Sequence, residues 1–388
     1  MARARIASQT QSKLGMIVFG EEGTGKSSLA LQFAYFKRPD GKPFRVLYID
    51  NENGSIDDFL DNLTADGVDI RNIYIVYTQS LGETREYINK VKNKEDFYVL
   101  DDEGNETDEV VVDADGEPFR ADAIVVDGTT ILNLTTKQAL VEFSKKRNTV
   151  KAKKKELTGI EKTVAIEGAG LELKDYQTVN FKGQDLILDL MSCGVHYIVT
   201  ARETDEKISV KDDDGKITSV ATGKKIPDGF KQMNYNVKTV IRMYIDDNNN
   251  FCAYISKDRT GIHDKETVED LSLVDWQAVI DRTKDKKAYA IHNDLTKAVD
   301  VEQEIYSKEV LGKVGEPVES DSLENSSNPV TDLVEQISEK MKSLNPVGKT
   351  KAKEALSAED LPNKPTEIKK ITDTNVLNNI LEIISKIK

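Results

Sequence analysis

The sequence predicts an α/β protein with a mainly parallel sheet, and three observations carry that expectation. Short apolar, β-branched runs alternate with stretches of helical period. The first of these runs opens into a glycine-rich loop that leads straight into a helix. A late pair of strand-like runs is joined by hairpin chemistry, which adds an antiparallel extension to the sheet.

Met16–Phe19 (MIVF) is the first run, and Ser27–Phe36 then follows a helical pattern. Between them lies Gly20-x-x-x-x-Gly25-Lys26-Ser27, the phosphate-binding loop in its confirming context of strand before and helix after. Glycines let the backbone curl until successive N–H groups face one phosphate chain, and the helix N-terminus adds its positive end. Gly20, Glu21, Glu22, Gly23, Thr24, Gly25, Lys26, Ser27 and Ser28 are therefore candidates to cradle a nucleoside triphosphate. Lys26 would reach the β- and γ-phosphates, and the Ser27 hydroxyl would take one position on Mg²⁺.

Further strands are expected at Arg45–Asp50, Ile73–Tyr77, Ala123–Asp127 and His196–Thr200, short runs of the kind buried parallel strands show. Helical patterns separate them at Ser55–Leu63, Leu81–Val91, Thr130–Phe143 and Tyr176–Met191. Val237–Ile245 and Phe251–Lys257 meet through Asp246-Asp-Asn-Asn-Asn250, the hairpin that closes the sheet. Two polar insertions interrupt the plan. Phe97–Asp122, within an insertion of about 95–122, holds turn signals at Asp101–Asn105 and Asp113–Gly116 and reads as an acidic β-hairpin. Ile208–Lys225, within about 204–232, repeats the style around Asp212–Gly215. The domain plan is an N-terminal arm at 1–13, a nucleotide-binding domain at 14–311, a linker at 312–330 and a helical tail or small module at 331–388. In the tail, Leu333, Val334, Ile337, Met341 and Leu344 share one helical face. Leu377, Ile380, Leu381, Ile384 and Ile387 share another, after a capping candidate at Asp373. These helices are candidates for a protein partner.

The chain has 388 residues and a net charge of −14, with no apolar run of membrane-spanning length. Its opening, MARARIASQTQSK, does not read as a secretion signal. Cys193 and Cys252 are too few for a disulfide framework and read as structural thiols of a reducing cytoplasm. His196, His263 and His292 show no ligand spacing, and Trp276 reads as a core anchor. The charge is segregated. Residues 95–122 hold twelve Asp or Glu against one basic residue, whereas 144–162 hold eight Lys or Arg against two Glu.

A phosphate-binding loop needs a carboxylate for its metal and a group to orient water. Ala123–Asp127 (AIVVD) is a strand ending in Asp, and Asp127 is the candidate to hold Mg²⁺, through a water. Glu52, just past the strand that ends in Asp50, is the candidate to polarise the attacking water.

With Glu52 after the second strand and Asp127 ending a later one, the order resembles the RecA-like branch of P-loop ATPases, the core shared by RecA, RadA and DnaB-type helicases. Ile255-Ser-Lys257-Asp-Arg259-Thr-Gly261 extends the resemblance, because RadA and DnaB-type proteins carry a similar Lys-x-Arg-x-Gly after a late strand. The resemblance implies that Lys257 and Arg259 reach the γ-phosphate bound by a neighbouring subunit, a contribution worth about 10³–10⁵ in rate. It also implies a polar sensor where Thr200-Ala-Arg202-Glu203 closes a strand, with Thr200 and Arg202 both open as that sensor. Within the branch the pattern looks most like the phage Sak-type single-strand annealing proteins, over about residues 14–285.

That resemblance implies a homo-oligomeric, Mg²⁺-dependent ATPase of the cytoplasm (the host's, for a phage protein) that binds single-stranded DNA in recombination or strand annealing. It places the first DNA loop at Lys145, Lys146, Arg147, Lys151, Lys153, Lys154 and Lys155, followed by a flexible-looking Gly159–Gly170. In the second loop region, Glu203–Asn236, Lys224, Lys225 and Lys231 supply charge, and Phe230 or Tyr235 could stack on a base or pack on the core. The alternatives are a DnaB-like helicase, or a nucleotide-dependent protein switch with no DNA role.

Overall fold

The computed structural model describes residues 11–54, 56–101, 103–211, 217–286 and 295–311, and most of 333–386. Most of the expected N-terminal arm, Ser55, the Asp212–Gly215 turn, His292, the linker at 312–330 and Ile387 lie outside the described residues. The chain divides into two compact units, 1–294 and 295–388, so the helix at Leu295–Leu311 groups with the second unit.

The first unit is built on β1 (Gly15–Gly20), α1 (Lys26–Leu31), β2 (Val46–Asp50), α2 (Asp57–Ala65), β3 (Ile73–Tyr77) and α3 (Leu81–Asn93). The hairpin β4 (Tyr98–Leu100) and β5 (Glu106–Val110) follows, then β6 (Ala123–Asp127), α4 (Thr129–Lys154), α5 (Gly159–Glu167) and α6 (Leu173–Ser192). β7 (His196–Lys211), β8 (Ile217–Pro227), α7 (Met233–Asn236), β9 (Thr239–Ile245), β10 (Phe251–Asp258), β11 (Glu266–Glu269) and α8 (Gln277–Asp281) complete it. The main sheet has nine strands in the order β11-β10-β9-β1-β7-β6-β2-β3, with β8 added to β7, while β4 and β5 form a separate antiparallel pair. β9, β1, β7, β6, β2 and β3 run parallel, and β10 and β11 supply the antiparallel extension. The expected fold class is the one observed.

Period-two alternation explains why the central strands are apolar throughout. Met16 and Val18 face one core with Val46, Tyr48, Ala123 and Val125, under the aromatic cluster of Phe33, Phe36 and Phe44 and beside Trp276. Ile17 and Phe19 face the other with Leu47, Ile49, Ile124 and Val126, beneath Ile88 of α3 and Leu186, Ile187 and Leu190 of α6. Fully buried Trp276 donates its indole N–H to Asp258 at 3.2 Å.

Two elements exceed their expected bounds, and one segment differs in kind. β7 continues for 16 residues and, with β8, forms a two-stranded arm beyond the sheet. α4 runs 26 residues, roughly 39 Å at 1.5 Å per residue, so Lys145–Lys154 lie on a helix. Gly159–Gly170 is not a flexible loop. It contains α5, whose glycines bound the helix, with Gly168 as C-cap. α4, α5 and the first half of α6 stand beyond the edge formed by the C-terminal ends of the parallel strands. Near that edge Thr135 binds the carbonyl of Gln79, just past β3, and farther along Arg147 meets Asp175 at 2.6 Å.

The second unit contains α9 (Leu295–Leu311), α10 (Pro346–Ala358) and α11 (Thr374–Ser385). Leu377, Ile380 and Ile384 of α11 share a core with Ile337, Leu344, Ala352, Leu356 and Ile368, and Asp373 caps α11 by accepting from the Asn375 amide at 2.8 Å. No helix among the described residues is long and apolar enough to cross a membrane.

Candidate nucleotide-binding site

The C-terminal ends of β1, β2, β6 and β7 converge on one cavity of about 810 Å³. Its lining includes Gly20, Glu21, Glu22, Gly23, Gly25, Lys26, Ser27 and Ser28 of the loop, with Glu52, Asp127, Thr200, Arg202 and Glu203. Thr24 is turned inward instead and braces the loop by donating to the Glu21 carbonyl at 2.9 Å. Gly20 leaves no room for a side chain, because a Cβ there would lie 2.1 Å from the Met243 carbonyl oxygen on β9. Lys26 donates to the Glu21 carbonyl at 2.6 Å, so the ammonium is held within the loop. Burial pulls its pKa below the usual lysine range, against the attraction of Glu52 and Asp127.

Strand order sets the carboxylates. β7 lies between β1 and β6, pairing Gly20 with Arg202 and Val199 with Val126, while β2 pairs Asp50 with Asp127. Asp127 is buried, and its two oxygens accept from the Tyr48 hydroxyl at 2.5 Å and from the Thr200 hydroxyl. The Thr200 carbonyl accepts from Thr129 at 2.6 Å, which ties β7 to the start of α4. Past β2, the Asp50 carboxylate accepts from the amides of Glu52 at 2.9 Å and Gly54 at 2.7 Å, a local turn that lifts Glu52 toward the cavity. Arg202 holds Glu52 Oε1 through Nη2 at 3.2 Å and Nε at 3.4 Å. Gly128 makes this possible. Its φ is 126°, and a Cβ there would sit 2.6 Å from Glu52 Cγ.

These placements separate the two sensor candidates. Thr200 is a buried partner of Asp127, whereas Arg202 faces the cavity and is paired with Glu52. Glu203 is also drawn in, held by Arg242 at 2.8 Å. Sequence reasoning missed Tyr48, Gly128, Arg242 and Asp50. Of these, Gly128 carries a local signal, a glycine directly after the strand-ending Asp127, and Asp50 carries another, an Asp four residues before Gly54.

Lys257 and Arg259 are not in this cavity. Lys257 pairs with Val240, three residues before Met243, which is level with Gly20. At roughly 3.3 Å per residue, Lys257 lies about 10 Å toward the opposite edge of the sheet. Its ammonium donates to the carbonyls of Asn234, Tyr235 and Val237 at 3.1, 3.0 and 2.6 Å. The residue between the two cations, Asp258, organises the turn that carries Arg259. It accepts from Thr239, from the amides of Thr260, Ile262 and His263, and from Trp276.

Of the seven basic residues of the first DNA-loop candidate, Lys145 pairs with Glu142 and Glu167, Arg147 with Asp175, and Lys151 with Glu172. Among the described residues, Lys146, Lys153, Lys154 and Lys155 show no ion pair. In the second region Phe230 is buried against α6 at Gly183, while Tyr235 is 71% exposed. Lys224 and Lys225 pair with Glu206 and Asp205 along the arm.

A divalent ion fits this donor set. Ser27 and Asp127 line the same cavity with oxygen donors, and the described residues hold no cluster of three or more His, Cys, Asp or Glu that would make a cage without substrate. One carboxylate, one hydroxyl, waters and phosphate oxygens are the ordinary coordination of Mg²⁺ at such loops.

No family model and no curated protein matches the chain. Among solved structures, a KaiC-like protein of the hyperthermophilic archaeon Pyrococcus horikoshii OT3 is similar over 67% of this chain and 93% of its own, at 14% identity and a TM-score of 0.37. A likeness that distant assigns neither substrate nor activity. The chain's own strand order is that of a mixed α/β fold with a mainly parallel sheet, and its cavity gathers the Gly20–Ser28 loop with Glu52 and Asp127.

Proposed function

We propose that this protein is a RecA-like, Mg²⁺-dependent ATPase that works as a homo-oligomer in the cytoplasm, with ATP held between neighbouring copies. The observation that carries the reading is the convergence of the Gly20–Ser28 loop, Asp127 and Glu52 on one cavity at the C-terminal ends of three parallel strands. The loop amides bind the phosphate chain, and Lys26 exchanges the Glu21 carbonyl for phosphate oxygens. Ser27 and, through water, Asp127 would hold Mg²⁺, which would supply charge neutralisation at the phosphates. Glu52 orients the attacking water and accepts its proton once Arg202 releases it. Thr200 fixes Asp127 and links it to α4, and Arg202 roots the β7–β8 arm at the cavity, so a change at the γ-phosphate reaches both elements. Lys257 and Arg259 serve the pocket of the next copy, because the register holds them away from their own.

The test is complementation. Lys26→Ala chains keep intact cations at 257 and 259, and Arg259→Ala chains keep an intact pocket. Each alone should be inactive, and mixing them should restore part of the hydrolysis. Mixtures that stay dead would refute the shared site.

A second reading, single-stranded DNA binding in recombination or strand annealing, is favoured by Lys146, Lys153, Lys154 and Lys155 and by exposed Tyr235. It requires hydrolysis to rise with single-stranded DNA. ATP-driven unwinding of a forked duplex would favour a helicase, and indifference to DNA would favour a protein-partnered switch.

A further inference from the structure

Two surfaces of opposite charge stand at opposite edges of the main sheet, and neither is explained by the nucleotide site. At the C-terminal edge, α4 ends in Lys153 and Lys154, is capped by Lys155 and turns into α5, none of whose residues is buried. Ile160 and Val164, one turn apart on α5, are 82% and 65% exposed. Cations suit the carbonyl end of a helix, which accounts for lysines in the last turn of α4. It does not account for an apolar pair in water beside them.

At the N-terminal edge, the hairpin β4–β5 hangs from the start of the strands. Tyr98 accepts from Tyr74, Asp113 meets Arg45, and Asp122 pairs with Arg45 at 2.9 Å. A two-stranded hairpin is marginal alone, yet this one leaves Val99 and Leu100 exposed. Glu103, Asp108 and Glu109 have no ion pair among the described residues. It combines exposed apolar residues with uncompensated negative charge, the complement of the α4–α5 end.

We propose that the acidic hairpin β4–β5 of one copy seats on the basic, apolar α4–α5 end of a second copy, in a head-to-tail contact. Charge complementarity selects this occupant, and the fold supplies the geometry. The hairpin lies at the β3 side of the N-terminal edge, and α4 crosses the C-terminal edge toward Gln79 on that same side. A copy displaced along the strand direction therefore brings hairpin to helix end. The same displacement carries the Lys257–Arg259 turn toward the Gly20 loop of its neighbour. A head-to-tail contact does not satisfy itself within a dimer, so it builds rings or filaments.

The test is a charge exchange followed by sedimentation at low salt, on full-length protein without nucleotide, so that it does not depend on hydrolysis. Lys153, Lys154 and Lys155 are changed together to Glu in one variant. Glu103, Asp108 and Glu109 are changed together to Lys in another. All six positions are exposed, and circular dichroism confirms that each variant is folded. Each variant alone should self-associate roughly tenfold more weakly or worse, and mixing the two swaps in one chain should restore association. Unchanged association in both single variants, or loss without restoration in the double swap, would overturn the proposal. So would loss of single-stranded DNA binding by the lysine variant with its assembly intact, which would assign the helix end to nucleic acid.

Discussion

Replacing Gly128 by Ala tests the catalytic geometry at one methyl group. At φ 126° an L-residue is strained, by about 1–3 kcal/mol for positions of this kind. The new Cβ would also sit 2.6 Å from Glu52 Cγ and 2.9 Å from Glu52 Oε1. Ordinary carbon contacts lie at about 3.5–4.0 Å, so Glu52 has to retreat by roughly 1 Å or more. The strain should lower the melting temperature by roughly 2–12 °C. A displacement of about 1 Å in a group that positions the nucleophile can cost roughly 100-fold in rate. We therefore expect kcat to fall about 100-fold with nucleotide affinity little changed, since Gly128 does not line the phosphate loop. Gly67→Ala is the control, because φ is 82° there with nothing within 4 Å of the added Cβ. That variant should lose stability and keep kcat. If Gly128→Ala melts lower but hydrolyses ATP at the unaltered rate, Glu52 is not the residue that activates water.

Three further outcomes follow from other contacts. Tyr48→Phe and Thr200→Val each remove a donor to buried Asp127, and should each cost about 1–3 kcal/mol in urea unfolding while raising the Mg²⁺ concentration needed for hydrolysis. Asp258→Ala leaves Trp276 Nε1, Thr239 and several amides of the Arg259 turn without their acceptor. It should destabilise the fold by about 1–3 kcal/mol for each buried donor left unsatisfied and fail to complement Lys26→Ala chains. Burial alone would lower the pKa of His263, but hydrogen bonds to Glu266 and Asp275 outweigh it and raise the value. A raised folded-state pKa stabilises fully below the unfolded value near 6.5 and is lost as pH climbs through the folded value. The stability gap between wild type and His263→Gln should therefore be wider at pH 5.5 than at pH 8.5.

What was legible in the sequence is what is local. The Gly20–Ser27 loop is a contiguous pattern with its strand and helix attached, and Asp127 ends a run whose burial its own composition announces. The acidic hairpin was readable because Asp101 and Asp113 write their turns in the chain, each accepting from amides two and four residues on. Tyr48 was not legible as a partner of Asp127, since that contact depends on β2 and β6 pairing across 79 positions. Arg242 beside Glu203 likewise exists only because β9 and β7 flank β1. Gly159–Gly170 misled for a local reason, because glycines that bound a short helix look the same as glycines that loosen a loop.

The charge of the nucleotide cavity gives one more expectation. Glu21, Glu22, Glu52, Asp127 and Glu203 line it against Lys26 and Arg202 alone. Arg202 is paired with Glu52, which leaves Lys26 and the loop amides to meet the phosphates of a single copy. In the proposed reading Mg²⁺ would supply part of the deficit, and the carbonyl-capped Lys257 with Arg259 would supply more when a second copy presents that edge. Hydrolysis per chain should therefore rise with protein concentration and level off as copies associate. It should fall again when salt weakens the contact, at concentrations that leave the isolated fold intact. The measurement is the specific rate over a dilution series at two ionic strengths, with sedimentation on the same samples. A rate per chain that stays flat from dilute monomer to full assembly would mean that one copy completes its own site, and the role given to Lys257 and Arg259 would have to be abandoned.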